Sequence, residues 1–150
     1  MVPSVGAPYA GFMNVAPITP DLIPAAAALW HEAGLTRPWN DPMADAERAL
    51  AGATSSVLGL VEDGILRATA MVGEDGHRGW IYYVAVREAD RGRGLGRVII
   101  EAAERWLAEA GAVKVQLMVR DTNTAVIDFY ERLGYEDAEV AVLGKWLVTV

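Results

Sequence analysis

The chain has 150 residues, long enough for one domain with a proper core and too short for two ordinary ones. Its 20 acidic side chains against 13 basic ones give a formal net charge of −7, which repels nucleic acid and anionic membrane surfaces and suits a cationic or amine-bearing partner. It has no cysteine and two histidines, which removes disulfides, thiolate nucleophiles and cysteine-ligated metals and leaves little for a histidine metal site.

The opening MVPSVGAPYAGF carries no basic stretch and no long apolar run, so it does not read as a secretory signal. Residues 1–11 are expected to be a flexible Pro/Gly tail, and the protein to be cytoplasmic. No run of about 18 apolar residues exists to span a membrane. Phe12 to Ala16 reads as a short first strand. Thr19-Pro20-Asp21 then pairs a cap with a proline at the first helical position and starts a helix to about Ala33. Leu22, Ala26, Leu29 and Trp30 recur on one face, and Gly34 stops it. His31 and Glu32 at its end read as solvent-facing.

The next segment, residues 35–42, is a non-periodic loop with two prolines and Trp39. Trp39 either lines a site, as loop residues with function do, or plugs the core. Asp41-Pro42 repeats the cap-and-proline start and opens a short helix to about Ala51. Ser56 to Val61 and Ile65 to Val72 form a predicted hairpin about Glu62-Asp63-Gly64. Asp75-Gly76 then turns the chain into a third strand, Trp80 to Val86. Simple alternation puts Trp80, Tyr82, Val84 and Val86 on one face of it, and Ile81, Tyr83 and Ala85 on the other. Both faces are apolar, so the strand is expected to be central and covered on both sides.

That strand feeds through Arg91-Gly92-Arg93-Gly94-Leu95-Gly96-Arg97 into an amphipathic helix. The first turn of a helix has N–H groups without intrahelical partners and the positive end of the helix dipole, so an anion is held there by both. Glycines let a phosphate approach the backbone. Arg87, Arg91, Arg93 and Arg97 outnumber Glu88 and Asp90, making the segment basic in an acidic chain. A Walker loop is excluded because Gly96-Arg97-Val98 replaces its Gly-Lys-Ser/Thr, and the glycine spacing does not fit a dinucleotide fingerprint. The segment is read as a pyrophosphate cradle. Ile99, Ala102, Ala103, Trp106 and Ala110 are the expected buried stripe of the helix that follows, with Gly111 ending it.

Val113 to Val119 is the next expected strand. Asp121-Thr122-Asn123 caps a helix with Val126, Phe129, Tyr130 and Leu133 on one face, closed by Gly134. Val140 to Val150 is expected to supply a final strand or short hairpin. The order β-α-α-β-β-β-α-β-α-β describes one mixed α/β domain over residues 12–150.

Arg91-Gly92-Arg93-Gly94-Leu95-Gly96 resembles the Arg/Gln-x-x-Gly-x-Gly/Ala signature of the GNAT superfamily of N-acetyltransferases. Asn123 to Tyr135 resembles that family's second element, Asn-x-x-Ala/Val followed by Tyr-x-x-x-Gly-Phe/Tyr. Arg37-Pro38-Trp39-Asn40-Asp41-Pro42 with Asp75-Gly76-His77-Arg78-Gly79 looks like the small bacterial branch labelled YpeA. The resemblance implies a mostly antiparallel central sheet with helices on both faces and acetyl-CoA as co-substrate. It also implies roles. Val84, Ala85 and Val86 would pair through their backbone with the pantetheine arm, Arg91 to Arg97 would hold the diphosphate, Asn123 would bond the cofactor near its reactive end, and Tyr130 would protonate the departing thiolate. Asn123 is equally a helix cap, and Tyr130 equally a core residue.

The family's usual glutamate base is missing: its place on the fifth strand is Met118. Either Glu74, Asp75 or His77 would then take the amine proton through water, or the amine would bind already neutral. The expected reaction is direct acetyl transfer to a primary amine of a small molecule or a peptide, with Trp39, Tyr82 and Glu74 as candidate acceptor contacts. A non-catalytic acyl-CoA sensor and an acyltransferase for a bulkier thioester are the alternatives. The expected protein is a monomer or homodimer that binds no metal, no membrane and no nucleic acid.

Overall fold

A computed structural model describes residues 15–149. The tail expected over residues 1–11, and Phe12 to Asn14 of the first strand, lie outside the described residues. The chain divides into two compact units, one ending at Leu117 and one beginning at Met118.

The first unit is built on a five-stranded sheet in the order β1-β2-β3-β4-β5. The strands are β1 (Val15–Pro17), β2 (Ser55–Glu62), β3 (Ile65–Glu74), β4 (Gly79–Val86) and β5 (Val115–Leu117). β1 to β4 run antiparallel and β5 runs parallel to β4. This is the mixed, mostly antiparallel sheet that was expected. The helices are α1 (Ile23–Glu32), α2 (Pro42–Ala51) and α3 (Leu95–Glu109).

The local signals account for most of these boundaries. Asp63 and Gly64 both take left-handed φ, 53° and 74°, as a two-residue turn between right-twisted strands demands. Asp41 caps α2 by accepting a hydrogen bond from the Ala44 N–H at 3.1 Å, with Pro42 in the first turn. Thr19 behaves differently. Its side chain makes no cap bond, and Pro20–Leu22 form a 3₁₀ turn before α1 begins.

α1 and α2 cover one sheet face, and Ile23, Ala26, Leu29, Trp30, Ala46 and Ala49 join Val57, Leu66 and Ala85 in a shared core. α3 packs against β2, β3 and β4. Its buried residues are Leu95, Val98, Ile99, Ile100, Ala103 and Leu107. The expected stripe is therefore corrected at its end: Ala102 and Trp106 are half-buried and Ala110 is exposed. The turn of the helix presents Leu107, which approaches Gly79 closely enough that a Cβ there would lie 3.0 Å from its Cδ2.

In β4 the expected alternation fails. Thr69 pairs with Ala85 and Met71 with Tyr82, so Tyr83 and Val84 together stand opposite Ala70. This β-bulge shifts the side-chain phase by one residue. Tyr83 and Ala85 remain on the α1/α2 face, and Tyr82, paired with Met71 of that same packed face, joins them. Val86, across from Ala68, falls on the opposite face from Tyr82.

β5 is shorter than expected, three residues instead of the span from Val113 to Val119. In the second unit α4 (Thr124–Arg132) forms as expected, with Tyr130 buried and Val126, Phe129 and Leu133 half-buried. The final strand expected over Val140 to Val150 is not formed in the described residues up to 149. Val140, Val142, Leu143 and Leu147 are exposed there, so their apolar pattern is not converted into pairing.

Candidate active site

The cradle begins where β4 ends. A 3₁₀ turn at Glu88–Asp90 leads through Arg91 to Gly94, which occupies the N-cap of α3 at φ 78° and ψ 13°. An L side chain is strained in that conformation and glycine is not. No side chain caps α3, and a Cβ at Gly94 would meet nothing within 4 Å. The first-turn N–H groups are thus left without a side-chain acceptor, as an external one requires. The residues present fit a diphosphate.

The arginines divide into two sets. Asp90, only 4% exposed, accepts from Arg87 Nε at 2.6 Å, Arg67 at 2.8 Å and Arg93 at 3.1 Å. Arg93 also donates to Glu62 at 3.1 Å, and Arg67 lies 3.2 Å from the same carboxylate. The Arg87 bond foremost, then Arg67, holds the Asp90 carboxyl below the usual carboxylate range. Arg87 and Arg93 are therefore engaged with internal acids, Arg93 with its side chain still 47% exposed, whereas the sequence count assigns every arginine of the segment to a ligand. Arg91, Arg93 and Arg97 are all exposed; of these, Arg91 and Arg97 do not engage Asp90, and Arg97 makes a long 3.8 Å contact to Glu101.

Val84, Ala85 and Val86 are the last residues of β4, Val84 within the bulge beside Tyr83 and the other two beyond it. Tyr83, within the bulge, has φ 50°, an outlier for a bulky residue. Its ring stacks on Trp30 with centroids 4.0 Å apart at 14°. The phenol donates to Asp45 of α2 at 2.8 Å, and its backbone carbonyl accepts from Thr69 at 3.0 Å. Thr69, fully buried, in turn accepts from Trp30 Nε1 at 2.8 Å.

Of the acceptor candidates, Trp39 is 52% exposed, which excludes the core-plug reading. Tyr82 is 40% exposed and stacks on Trp80 at 6.4 Å. Glu74 accepts from the Gly76 N–H at 2.7 Å, so one of its oxygens serves the turn. Asp75 accepts from the His77 and Arg78 backbone N–H groups. Those bonds, Arg78 first, hold its carboxyl below the ordinary range and weaken it as a proton acceptor. Glu32 is exposed, as expected, and also accepts from the Glu88 N–H at 3.0 Å, which ties the end of α1 to the start of the cradle.

In the second unit Asn123 holds the N-cap position of α4, yet its side chain makes no cap bond. The capping role weighed for it from the sequence is not performed, and the carboxamide is exposed. Tyr130 is buried, with Phe129 and Tyr135 edge-on to its ring at 5.1 and 5.5 Å. Burial raises its phenol from 10 to about 12. Met118 is exposed and lies in this unit, beyond the end of β5.

The family model described as Acetyltransferase (GNAT) family matches residues 25–135. This chain belongs to the GNAT acetyltransferase family. An acetyltransferase of Pectobacterium atrosepticum is 42% identical over 124 residues, 83% of this chain and 88% of the relative. Among solved structures, AAC(6')-Iy in complex with a bisubstrate analogue of CoA superimposes with TM-score 0.76 at 17% identity, covering 89% of this chain and 97% of that one. The ribosomal-protein-alanine N-acetyltransferase of Brucella melitensis gives 0.69 at 17% identity, covering 88% and 97%. At that identity these two share the fold. As a GNAT enzyme the protein is a transferase whose acyl donor is acetyl-CoA.

Sequence reasoning missed the Asp90 cluster and the Tyr83 clamp. Asp90 read as one acid diluting four arginines, and only the fold brings Arg67 and Glu62 to it. The bulge left no signal, because Tyr82, Tyr83 and Val84 suit either face of a covered strand.

Proposed function

We propose that this GNAT enzyme transfers acetyl from acetyl-CoA directly to a primary amine of a small molecule or a peptide, with residues 12–150 acting as one catalytic domain. The observation that carries this is the uncapped start of α3 behind Gly94, open to an anion and flanked by Arg91 and Arg97. Bound acetyl-CoA supplies an activated thioester, whose carbonyl carbon the amine attacks while the carbon–sulfur electrons leave on sulfur. The first-turn amides, with Arg91 and Arg97, hold the diphosphate. Val84, Ala85 and Val86 offer backbone donors and acceptors to the pantetheine arm, as an edge strand does to an added strand. Asn123 serves the cofactor near its reactive end, and Tyr130 serves the leaving sulfur. Trp39 and Tyr82 form the acceptor's aromatic contacts, where a cationic amine gains from ring faces; Glu74 keeps one carboxylate oxygen for it.

No cysteine exists to carry an acyl-enzyme, so the acceptor must meet the thioester itself. Its proton leaves through water, since Asp75 is a weakened acceptor.

The test is acetyl-CoA consumption against a panel of polyamines, peptide N-termini and amino sugars, beside a thermal-shift screen of CoA esters. Turnover with an amine is the expected result. Tight acetyl-CoA binding with no turnover on any amine would make the protein a sensor instead, and preferential stabilisation by a longer acyl-CoA would change the donor.

A further inference from the structure

The β4 bulge carries more than a change of phase. A bulky residue in left-handed backbone is strained and persists only where its surroundings over-determine it. Tyr83 meets that condition from three elements. α1 supplies the Trp30 stack, α2 the Asp45 acceptor, and β3 the Thr69 hydroxyl on the Tyr83 carbonyl. Thr69 is itself fixed, because the indole N–H of Trp30 occupies its oxygen as acceptor and orients its proton toward Tyr83. Ring, hydroxyl and carbonyl of one residue are each held, and the held residue is where two β4 residues face one in β3.

A bulge takes backbone groups out of the ladder. Here it does so at Tyr83 and Val84, where the Val84–Val86 segment to which the functional reading assigns the pantetheine arm begins. We infer that Tyr83 is a positioning residue: the clamp of Trp30, Thr69 and Asp45 fixes the aim of the backbone donors at Tyr83 and Val84 toward the thioester carbonyl. This rests on the functional reading above. A donor preset on the carbonyl oxygen strengthens as negative charge develops there, so misaiming it lowers the rate more than the affinity.

The experiment uses the whole protein with acetyl-CoA labelled at the acetyl carbonyl with carbon-13, read by infrared difference spectroscopy and by titration. In the parent, the bound carbonyl stretch should move to lower frequency than in free acetyl-CoA. Thr69→Val removes the bond to the Tyr83 carbonyl, and Tyr83→Phe removes only the Asp45 bond, so a folded variant is secured. Both should lose at least half of the frequency shift, with acetyl-CoA affinity within about threefold of the parent. Thr69→Ser, which keeps the hydroxyl, should restore it. With the best amine of the panel, kcat should fall by about 10- to 10²-fold in the two damaging variants. Val57→Ala, a truncation in the same core, controls for stability and should leave the stretch unchanged.

An unchanged stretch in Thr69→Val and Tyr83→Phe, with binding intact, overturns the clamp and leaves the functional reading standing. Absence of acetyl-CoA binding in the parent overturns the functional reading, and the clamp with it.

Discussion

Replacing Tyr130 by Phe separates two ways in which a phenol serves a departing thiolate. Burial raises the Tyr130 phenol to about 12, whereas a thiol of ordinary acidity sits near 8.5. Complete transfer of the proton from phenol to thiolate is then uphill by roughly 3.5 units, or about 5 kcal/mol. Leaving as thiolate while accepting a hydrogen bond from the neutral phenol avoids that cost. The structure thus favours donation without transfer, a smaller contribution than full acid catalysis. A lost donor to a developing charge is worth about 1.5–3 kcal/mol, so kcat of Tyr130→Phe should fall by about 10- to 10²-fold. Acetyl-CoA affinity should hardly change. The melting temperature should move by no more than a few degrees, because the ring and its edge-on neighbours are kept and only a hydroxyl is lost. The pH dependence follows from the direction of the shift: a raised pKa keeps the phenol protonated throughout the neutral range. The parent-to-variant rate ratio should therefore be constant between about pH 6 and 9. Steady-state kinetics over that range, with calorimetric melting of both proteins, provide the check. Full turnover in the variant removes Tyr130 from the reaction; a ratio that bends near neutral pH refutes the argument from its raised pKa.

Two further substitutions probe the cradle. Gly94→Val places a β-branched side chain in left-handed backbone and in the open space beside the start of α3, so acetyl-CoA binding should vanish while the circular dichroism spectrum persists; unchanged affinity in titration would sink the cradle. Arg91→Ala with Arg97→Ala should weaken acetyl-CoA binding by at least about tenfold at low salt and flatten its salt dependence, since exposed charges are the screened ones. Arg93→Ala should act differently, lowering the melting temperature by removing a partner of both Asp90 and Glu62 while leaving most of that salt dependence, and a flattened dependence there would return Arg93 to the ligand.

What the sequence revealed and what it hid divide along a physical line. Elements set by local chemistry were legible: the Asp63-Gly64 turn, the Asp41 cap, and the glycine-led start of α3 each need only a few neighbouring residues. The backbone of the Arg91–Arg97 segment was legible for the same reason, since a helix start and its glycines are contiguous. Its charge was misjudged because ion pairing is a property of the fold. Arg67 and Glu62 stand on neighbouring strands, 23 and 28 residues before Asp90 in the chain, and no local count could have assigned Arg87 and Arg93 to a buried acid.

The β4 bulge marks a different limit. Alternation fixes a strand's faces only where one face is polar, and β4 offers Trp80, Ile81, Tyr82, Tyr83, Val84 and Ala85 in succession. In such a run a one-residue phase shift costs no burial, so hydrophobicity cannot select between phases. Selection passes to polar groups: the Tyr83 hydroxyl finds Asp45 and its carbonyl finds Thr69 in the bulged phase. The apolar run that hides the bulge thus also permits it, and three hydrogen bonds distributed over α1, α2 and β3 decide where it falls. That dependence makes the bulge's position sensitive to Thr69 and Asp45, two residues that sequence reading alone would place in the core and on a solvated helix face.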